Sequence, residues 1–163
     1  MIRLIPMTYK EKELTDIAHW RNDTLISLRS NKPTDPKGQK KWVESFTSSE
    51  RYFFIYDGDV FVGYCGLDKL DFVSRTAEMG LLIGPKYQRS KVGMTATKLL
   101  LQHGFYALDL NCIFIEVYQT TLAWSFWSKC GFRKEGELRE RKFWKGVYCD
   151  STVGSILKDE FGT

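Results

Sequence analysis

Two acidic residues interrupt apolar stretches of this chain: Glu78 in Ala77-Glu78-Met79-Gly80 and Glu116 in Ile115-Glu116-Val117. A carboxylate inside a hydrophobic strand is costly unless it is partnered. Each therefore has two readings. It is a general base that takes a proton from an arriving ammonium, or it closes a structural salt bridge, with Arg75 or Arg133 as partner. Between the two lies a basic turn running from Gly84 to Thr95, with Lys86, Arg89 and Lys91 in it and Lys98 beyond. A strand stops there and a helix begins. Helix starts leave backbone N–H groups unpaired and carry partial positive charge, which suits a pyrophosphate. The plain alternative is a solvated basic turn.

The elements that must position these residues follow from periodicity. Residues 1–6 form a short strand ended by Pro6, and Thr8 caps a helix to about Asn22 with Leu14, Ile17, Ala18 and Trp20 on its apolar face. Residues 30–38 carry Pro33 and Pro36 and are expected as a loop, followed by a short helix over 37–48 with Trp42, Val43 and Phe46 inward. Strands over 52–57 and 60–67 are joined at Asp57-Gly58-Asp59, a hairpin signal. A strand over 72–84 stops at Gly84-Pro85, and a helix spans 91–108. The apolar run Cys112-Ile113-Phe114-Ile115-Glu116-Val117-Tyr118 suits a central strand covered on both faces. A helix over 121–130 closes at Gly131, a left-handed C-cap. Two strands, 132–143 and 147–157, turn at Lys145-Gly146. The order predicts one mixed α/β (α+β) domain over residues 1–163, built on a single sheet.

Bulk properties narrow the function. With 43% hydrophobic residues the chain can build a core, so disorder is excluded. A net charge of +4 favours an anionic small ligand only mildly. Four separated cysteines and two histidines make no tetrahedral metal site, and free thiols point to the cytoplasm. No segment has the pattern of a signal peptide or the length of a bilayer span.

The turn and its surroundings resemble the GNAT superfamily of N-acetyltransferases. Leu81-Leu82-Ile83-Gly84-Pro85 matches the strand end of that family's motif A, and Gln88-Arg89-Ser90-Lys91-Val92-Gly93 matches its Q/R-x-x-G-x-G/A loop. Ile115-Glu116-Val117 and Phe126-Trp127-Ser128-Lys129-Cys130-Gly131-Phe132 resemble its motif B. The resemblance implies a mostly antiparallel twisted sheet of six to seven strands, about four helices, and two central strands that splay apart. It further implies acetyl-CoA as co-substrate. Its pantetheine arm would lie against the backbone of Leu81, Leu82 and Ile83, one of whose N–H groups would hold the oxyanion. Its pyrophosphate would sit on the segment Gln88, Arg89, Ser90, Lys91, Val92, Gly93, Met94 and Thr95. Thr120 stands where the family has an asparagine beside the cofactor. Two departures are notable: Lys91 replaces the first loop glycine, and Trp127 replaces a tyrosine that often serves as general acid. Indole does not ionise usefully, so Tyr118 is the alternative donor to the thiolate.

His19-Trp20-Arg21-Asn22-Asp23 resembles the W-R-N signature of amino-sugar N-acetyltransferases, with Gln39 where those enzymes carry a histidine three residues before a tryptophan. That similarity implies Trp20, Arg21 and Asn22 as acceptor contacts and an amino sugar, free or nucleotide-linked, as the amine. Protein-N-terminal acetyltransferases share part of the pattern. The opposing reading places Trp20 in the core and leaves Arg21 and Asn22 merely ending the helix. A non-catalytic coenzyme-A-binding domain is the rival class, motivated by Trp127 and Lys91. A nucleic-acid module is disfavoured, because Glu135, Glu137 and Glu140 interrupt the basic tract Arg133 to Lys145. Exposed strand edges would allow a homodimer.

Overall fold

The computed structural model describes residues 1–28, 32–119 and 123–162. Seven strands make one sheet: β1 (Ile2–Pro6), β2 (Arg51–Asp57), β3 (Val60–Asp71), β4 (Thr76–Ile83), β5 (Cys112–Tyr118), β6 (Arg133–Trp144) and β7 (Val147–Leu157). Their spatial order is β1-β2-β3-β4-β5-β7-β6. Among the described residues four α-helices flank it: α1 (Glu11–Asp23), α2 (Pro36–Glu44), α3 (Val92–Gln102) and α4 (Ala123–Lys129). Every neighbouring pair is antiparallel except β4 and β5, which are parallel. The expected mixed α/β layout and strand count hold.

The two faces of the sheet do different work. Ile55, Cys65, Leu67, Ala77, Met79, Ile113, Ile115 and Val117 form one core with Val92, Ala96, Leu100 and Leu101 of α3 and Trp127 of α4. Phe54, Tyr64 and Leu82 form a second core with Leu14 and Ile17 of α1, against which Trp42 and Phe46 pack. Strand side chains alternate between faces. Odd-numbered residues of β4 and β5 therefore face α3 and α4, and even-numbered ones share the side of α1 and α2.

Several boundaries differ from the sequence expectation. Lys10 occupies the start of α1 and makes no side-chain cap, so Thr8 has no capping role. Helix α2 begins at Pro36, not after a loop ending at Gly38. Asp35 accepts from Gly38 N at 2.6 Å, and a proline in the first turn gives up no bonded N–H. Strand β3 continues to Asp71 and β4 starts at Thr76, because the turn forms at 72–75 where Asp71 Oδ1 accepts from the amides of Val73 and Ser74. The predicted 91–108 helix ends as α at Gln102 and finishes in a wider π-helical turn, His103–Ala107. The residue ahead of α4, Leu122, and its neighbour Thr121 lie outside the described residues. Gly131, at φ +98, takes the left-handed conformation expected of it, and the expected turn at Lys145-Gly146 forms with φ +46 and +87.

Strands β3 and β4 approach closely at Gly63, where an added Cβ would lie 2.3 Å from the Leu82 carbonyl oxygen. That oxygen belongs to a ladder and cannot yield. Gly63→Ala is expected to lower stability by about 1–3 kcal/mol, read as a lower denaturation midpoint in urea with the slope unchanged.

Candidate active site

Strand β4 pairs with β5 only at Thr76↔Cys112, Ala77↔Ile113 and Glu78↔Phe114. Beyond Glu78 each strand stays with its outer neighbour. β4 follows β3 as far as Ile83, and β5 follows β7 as far as Tyr118. The inner strands part, as the resemblance implied, and the facing edge of Met79–Ile83 is left outside the β4–β5 ladder. A cavity of about 370 Å³ occupies the wedge, bounded by β4, β5, Trp127, Arg21, Trp42 and the turn at Ser27–Leu28. Gly80 lines it, and its missing side chain leaves open space there.

Three carboxylates line this cavity: Asp68, Glu78 and Glu116. Glu78 is buried and pairs with Lys69 Nζ at 2.7 Å. Lys69 takes φ +51 in the β3 bulge, within the register slip between Asp68 and Asp71. The salt-bridge partners expected from sequence are engaged elsewhere: Arg75 with Asp109 at 2.6 Å and Arg133 with Glu160 at 2.8 Å. Glu116 accepts from the Ser151 hydroxyl at 2.6 Å. Asp68 accepts from Tyr52 OH at 3.2 Å. Burial pushes the Tyr52 and Tyr64 phenols above their ordinary range, with Asp68 adding to the rise at Tyr52 and Arg21 opposing it at Tyr64. Both remain protonated donors.

Tyr118 and Trp127, the two expected donors, both line the cavity. Trp127 is also packed edge-on against Phe126 and Phe132 at 5.1 and 5.2 Å. Tyr118 carries the Lys142 ammonium 4.6 Å above its ring. Burial pulls the Lys142 amine below its ordinary value. Periodicity gave no sign of Lys142 or Asp68 as parts of the site.

The expected acceptor triplet separates. Arg21 lines the cavity, with its guanidinium 5.0 Å over the Trp42 ring and Nη1 donating to Tyr64 OH at 3.4 Å. Trp20 stacks on Phe61 at 5.3 Å and covers the end of β4, where a Cβ on Gly84 would meet it at 2.6 Å. Asn22 uses both ends of its amide on the Thr34 backbone, donating to its oxygen and accepting from its nitrogen at 2.8 Å each. Gln39 is buried and donates to Thr34 Oγ1 at 3.1 Å.

At the basic turn, Gln88 Nε2 donates to Ile83 O at 3.1 Å, and Arg89 takes φ +60. Ser90 Oγ donates to Tyr87 O at 2.6 Å and accepts from Val92 N. Lys91 starts α3 at φ −73, a conformation open to any residue, so backbone geometry makes no demand for glycine there. The first helical bond runs from Thr95 N to Lys91 O at 3.0 Å, so the amides of Gly93 and Met94 precede the ladder. Gly93 also gives close packing, since a Cβ would lie 3.2 Å from the Phe126 ring. A second cavity of about 620 Å³ lies along α3 beyond this turn, with Lys91, Lys98 and Lys129 among its walls. Leu81, Leu82 and Ile83 stand on β4 as expected, whereas Thr120 lies outside the described residues.

The sequence matches the family model of the acetyltransferase (GNAT) domain over residues 2–133. The chain belongs to this family. Its reaction class follows: an acyl-CoA-dependent N-acetyltransferase. Spermidine N(1)-acetyltransferase of Vibrio cholerae is 28% identical over 116 residues, covering 70% of this chain and 67% of that protein. The Escherichia coli K12 enzyme of the same name is 33% identical over 114 residues, which are 69% of this chain and 61% of that one. The matched stretch thus spans less than two thirds of the second relative's length. In fold, the chain superposes on the crystal structure of Vibrio cholerae spermidine N-acetyltransferase in complex with CoA and spermine with a TM-score of 0.89. That likeness covers 99% of this chain and 98% of the other at 22% identity. These relatives are spermidine enzymes, where the W-R-N motif had pointed to amino sugars.

Asn22→Ala removes two buried-side hydrogen bonds and strands the Thr34 amide. Stability should fall by about 1–3 kcal/mol, seen as a lower thermal midpoint. A pure acceptor contact would leave that midpoint unchanged.

Proposed function

We propose that the chain transfers an acetyl group from acetyl-CoA to a primary amine of a polyamine such as spermidine. The observation that carries this reading is the placement of Asp68, Glu78 and Glu116 around one cavity, with Arg21 as the guanidinium on its wall among the described residues. A flexible polycation would be drawn by such a field, and Trp42, Tyr52 and Tyr64 add π-faces for ammonium groups. An amino sugar brings one ammonium, and a nucleotide-linked one adds a diphosphate that three carboxylates would repel. The spermidine relatives support the same acceptor class.

The residues present fit the coenzyme. The β4 edge at Leu81, Leu82 and Ile83 would hydrogen-bond a pantetheine arm as an added strand. The amides of Gly93 and Met94, which precede the α3 ladder, would hold the diphosphate, and Lys91, Lys98 and Lys129 would add charge to its nucleotide end. When bound, the coenzyme supplies the acyl group as a thioester.

Glu78 pairs with Lys69, Glu116 accepts from the Ser151 hydroxyl, and both line the cavity. Glu116, on β5 beside the splayed edge, is the carboxylate we assign to bind the ammonium and accept its proton, directly or through water. The neutral amine attacks the carbonyl carbon, the new C–N bond forms and the C–S bond breaks, and the second proton leaving the nitrogen passes through water to replace the one that Tyr118 gives up. Tyr118, on the same face two residues along β5, returns a proton to the departing sulfur. A backbone N–H on the 81–83 segment steadies the carbonyl oxygen. Trp127 shapes the wall, and its indole N–H gives at most one hydrogen bond.

A mass-spectrometric screen of polyamines, amino sugars, nucleotide-linked amino sugars and peptide N-termini with acetyl-CoA should find one acetyl group added, fastest on a polyamine. Glu116→Gln should lower kcat by about 10²–10⁴ with coenzyme affinity retained. A preferred product from sugars or peptides would refute the acceptor assignment. Coenzyme binding without any acetylated amine would favour a non-catalytic domain.

The cofactor loop gives a separate expectation. Lys91→Gly should weaken acetyl-CoA binding and flatten its dependence on salt, measured calorimetrically at several ionic strengths. Equal affinity and equal salt slope would show that the ammonium takes no part.

A further inference from the structure

Lys142 is a buried lysine on the edge strand β6, at 4% exposure, and among the described residues no carboxylate forms an ion pair with it. Its Nζ donates to the carbonyls of Leu25, at 2.9 Å, and Leu28, and lies over the Tyr118 ring. An ammonium has three donors, and here two meet carbonyls while the charge sits on a π-face. The two carbonyl contacts join residues more than a hundred positions apart. The carbonyls belong to the 3₁₀ turn Leu25–Ser27 and the residue after it, and Ser27 and Leu28 form part of the cavity wall.

The β6 bulge decides which residue stands here. Leu138 pairs with Ser151 and Lys142 with Cys149, so two extra residues are accommodated on β6. Without them Glu140 would stand opposite Cys149. Instead Glu140 takes φ +52 and its amide donates to Asp150 Oδ1 at 2.8 Å. The bulge thus exchanges an acid for a cation at a position that faces carbonyl oxygens.

We infer that Lys142 is a positioning residue for the acceptor: it fastens the Leu25–Leu28 turn as the outer wall of the cavity and seats the Tyr118 ring. This rests on the acyl-transfer reading of the cavity. It acts through the wall on the amine and through the ring on the Tyr118 hydroxyl that returns the proton, so kcat is expected to fall as well, while coenzyme binding is left alone. Methionine fills similar volume but cannot hold the carbonyls.

The test combines steady-state kinetics with amide hydrogen exchange. In K142M, the Ser27 and Leu28 amides, bonded to Thr24 O and Leu25 O in the wild type, should exchange faster. The KM for the amine should rise roughly tenfold, as for the loss of charge-assisted hydrogen bonds, with the KM for acetyl-CoA unchanged. K142R should restore most of the amine KM. If K142M does not fold, K142Q, which keeps N–H donors without the charge, carries the same comparison. Wild-type exchange at Ser27 and Leu28, or faster exchange with an unaltered amine KM, overturns the proposal. So does an equal rise in both KM values. If the wild type acetylates no amine, the acyl-transfer reading fails on its own, and the exchange comparison still reports whether Lys142 holds the turn.

Discussion

The parting of β4 from β5 after three paired residues is the constraint on which the rest of this molecule depends. A sheet normally closes every ladder, because buried backbone groups left unpaired are costly. Here each strand remains bonded on its outer side, so the cost is confined to the facing edges. Those edges bound a wedge long enough for an extended ligand to add itself as a strand. The phosphate turn and α3 stand at the end of β4, and α4 roofs the wedge from the side of β5. Trp20 presses on Gly84 and holds the end of β4 against α1, tying the acceptor side to the coenzyme side.

Strand alternation divides the chemistry across this wedge. Met79, Leu81, Ile115 and Val117 belong to the core under α3 and α4 or pack against it, which makes that side of the wedge apolar. Glu78, Glu116 and Tyr118 take the opposite parity, on the side of α1, α2 and the aromatic cluster. A slip of one residue in β5 would exchange the carboxylate for a branched aliphatic group and abolish the acceptor field. The Ser151 hydroxyl on β7 and the Lys69 ammonium from the β3 bulge fasten the two glutamates in place.

Features encoded locally were readable in the sequence. The hairpin at Asp57-Gly58-Asp59, the left-handed Gly131, the turn at Lys145-Gly146 and the apolar run of β5 each depend on a few adjacent residues. The strand end, turn and helix start from Leu81 to Thr95 were equally readable, because they are contiguous. What was missed depends on distant partners. Lys69 reaches Glu78 only because β3 bulges, and Lys142 reaches the Leu25–Leu28 turn only because β6 does. Neither bulge has a glycine or proline to announce it: Lys69 and Glu140 hold the positive φ values. Within the W-R-N motif, the turn of Asn22 to the Thr34 backbone twelve residues away was likewise not announced by adjacent residues.

The central claim is that the free edge of β4 and the start of α3 receive the coenzyme together. Amide hydrogen exchange with and without coenzyme A tests it most directly. Added coenzyme should slow exchange within Leu81–Ile83 and Arg89–Thr95 as one set, with β1, β2 and β6 unaffected. Binding that protects other segments, or that leaves Leu81–Ile83 unchanged, would contradict the account.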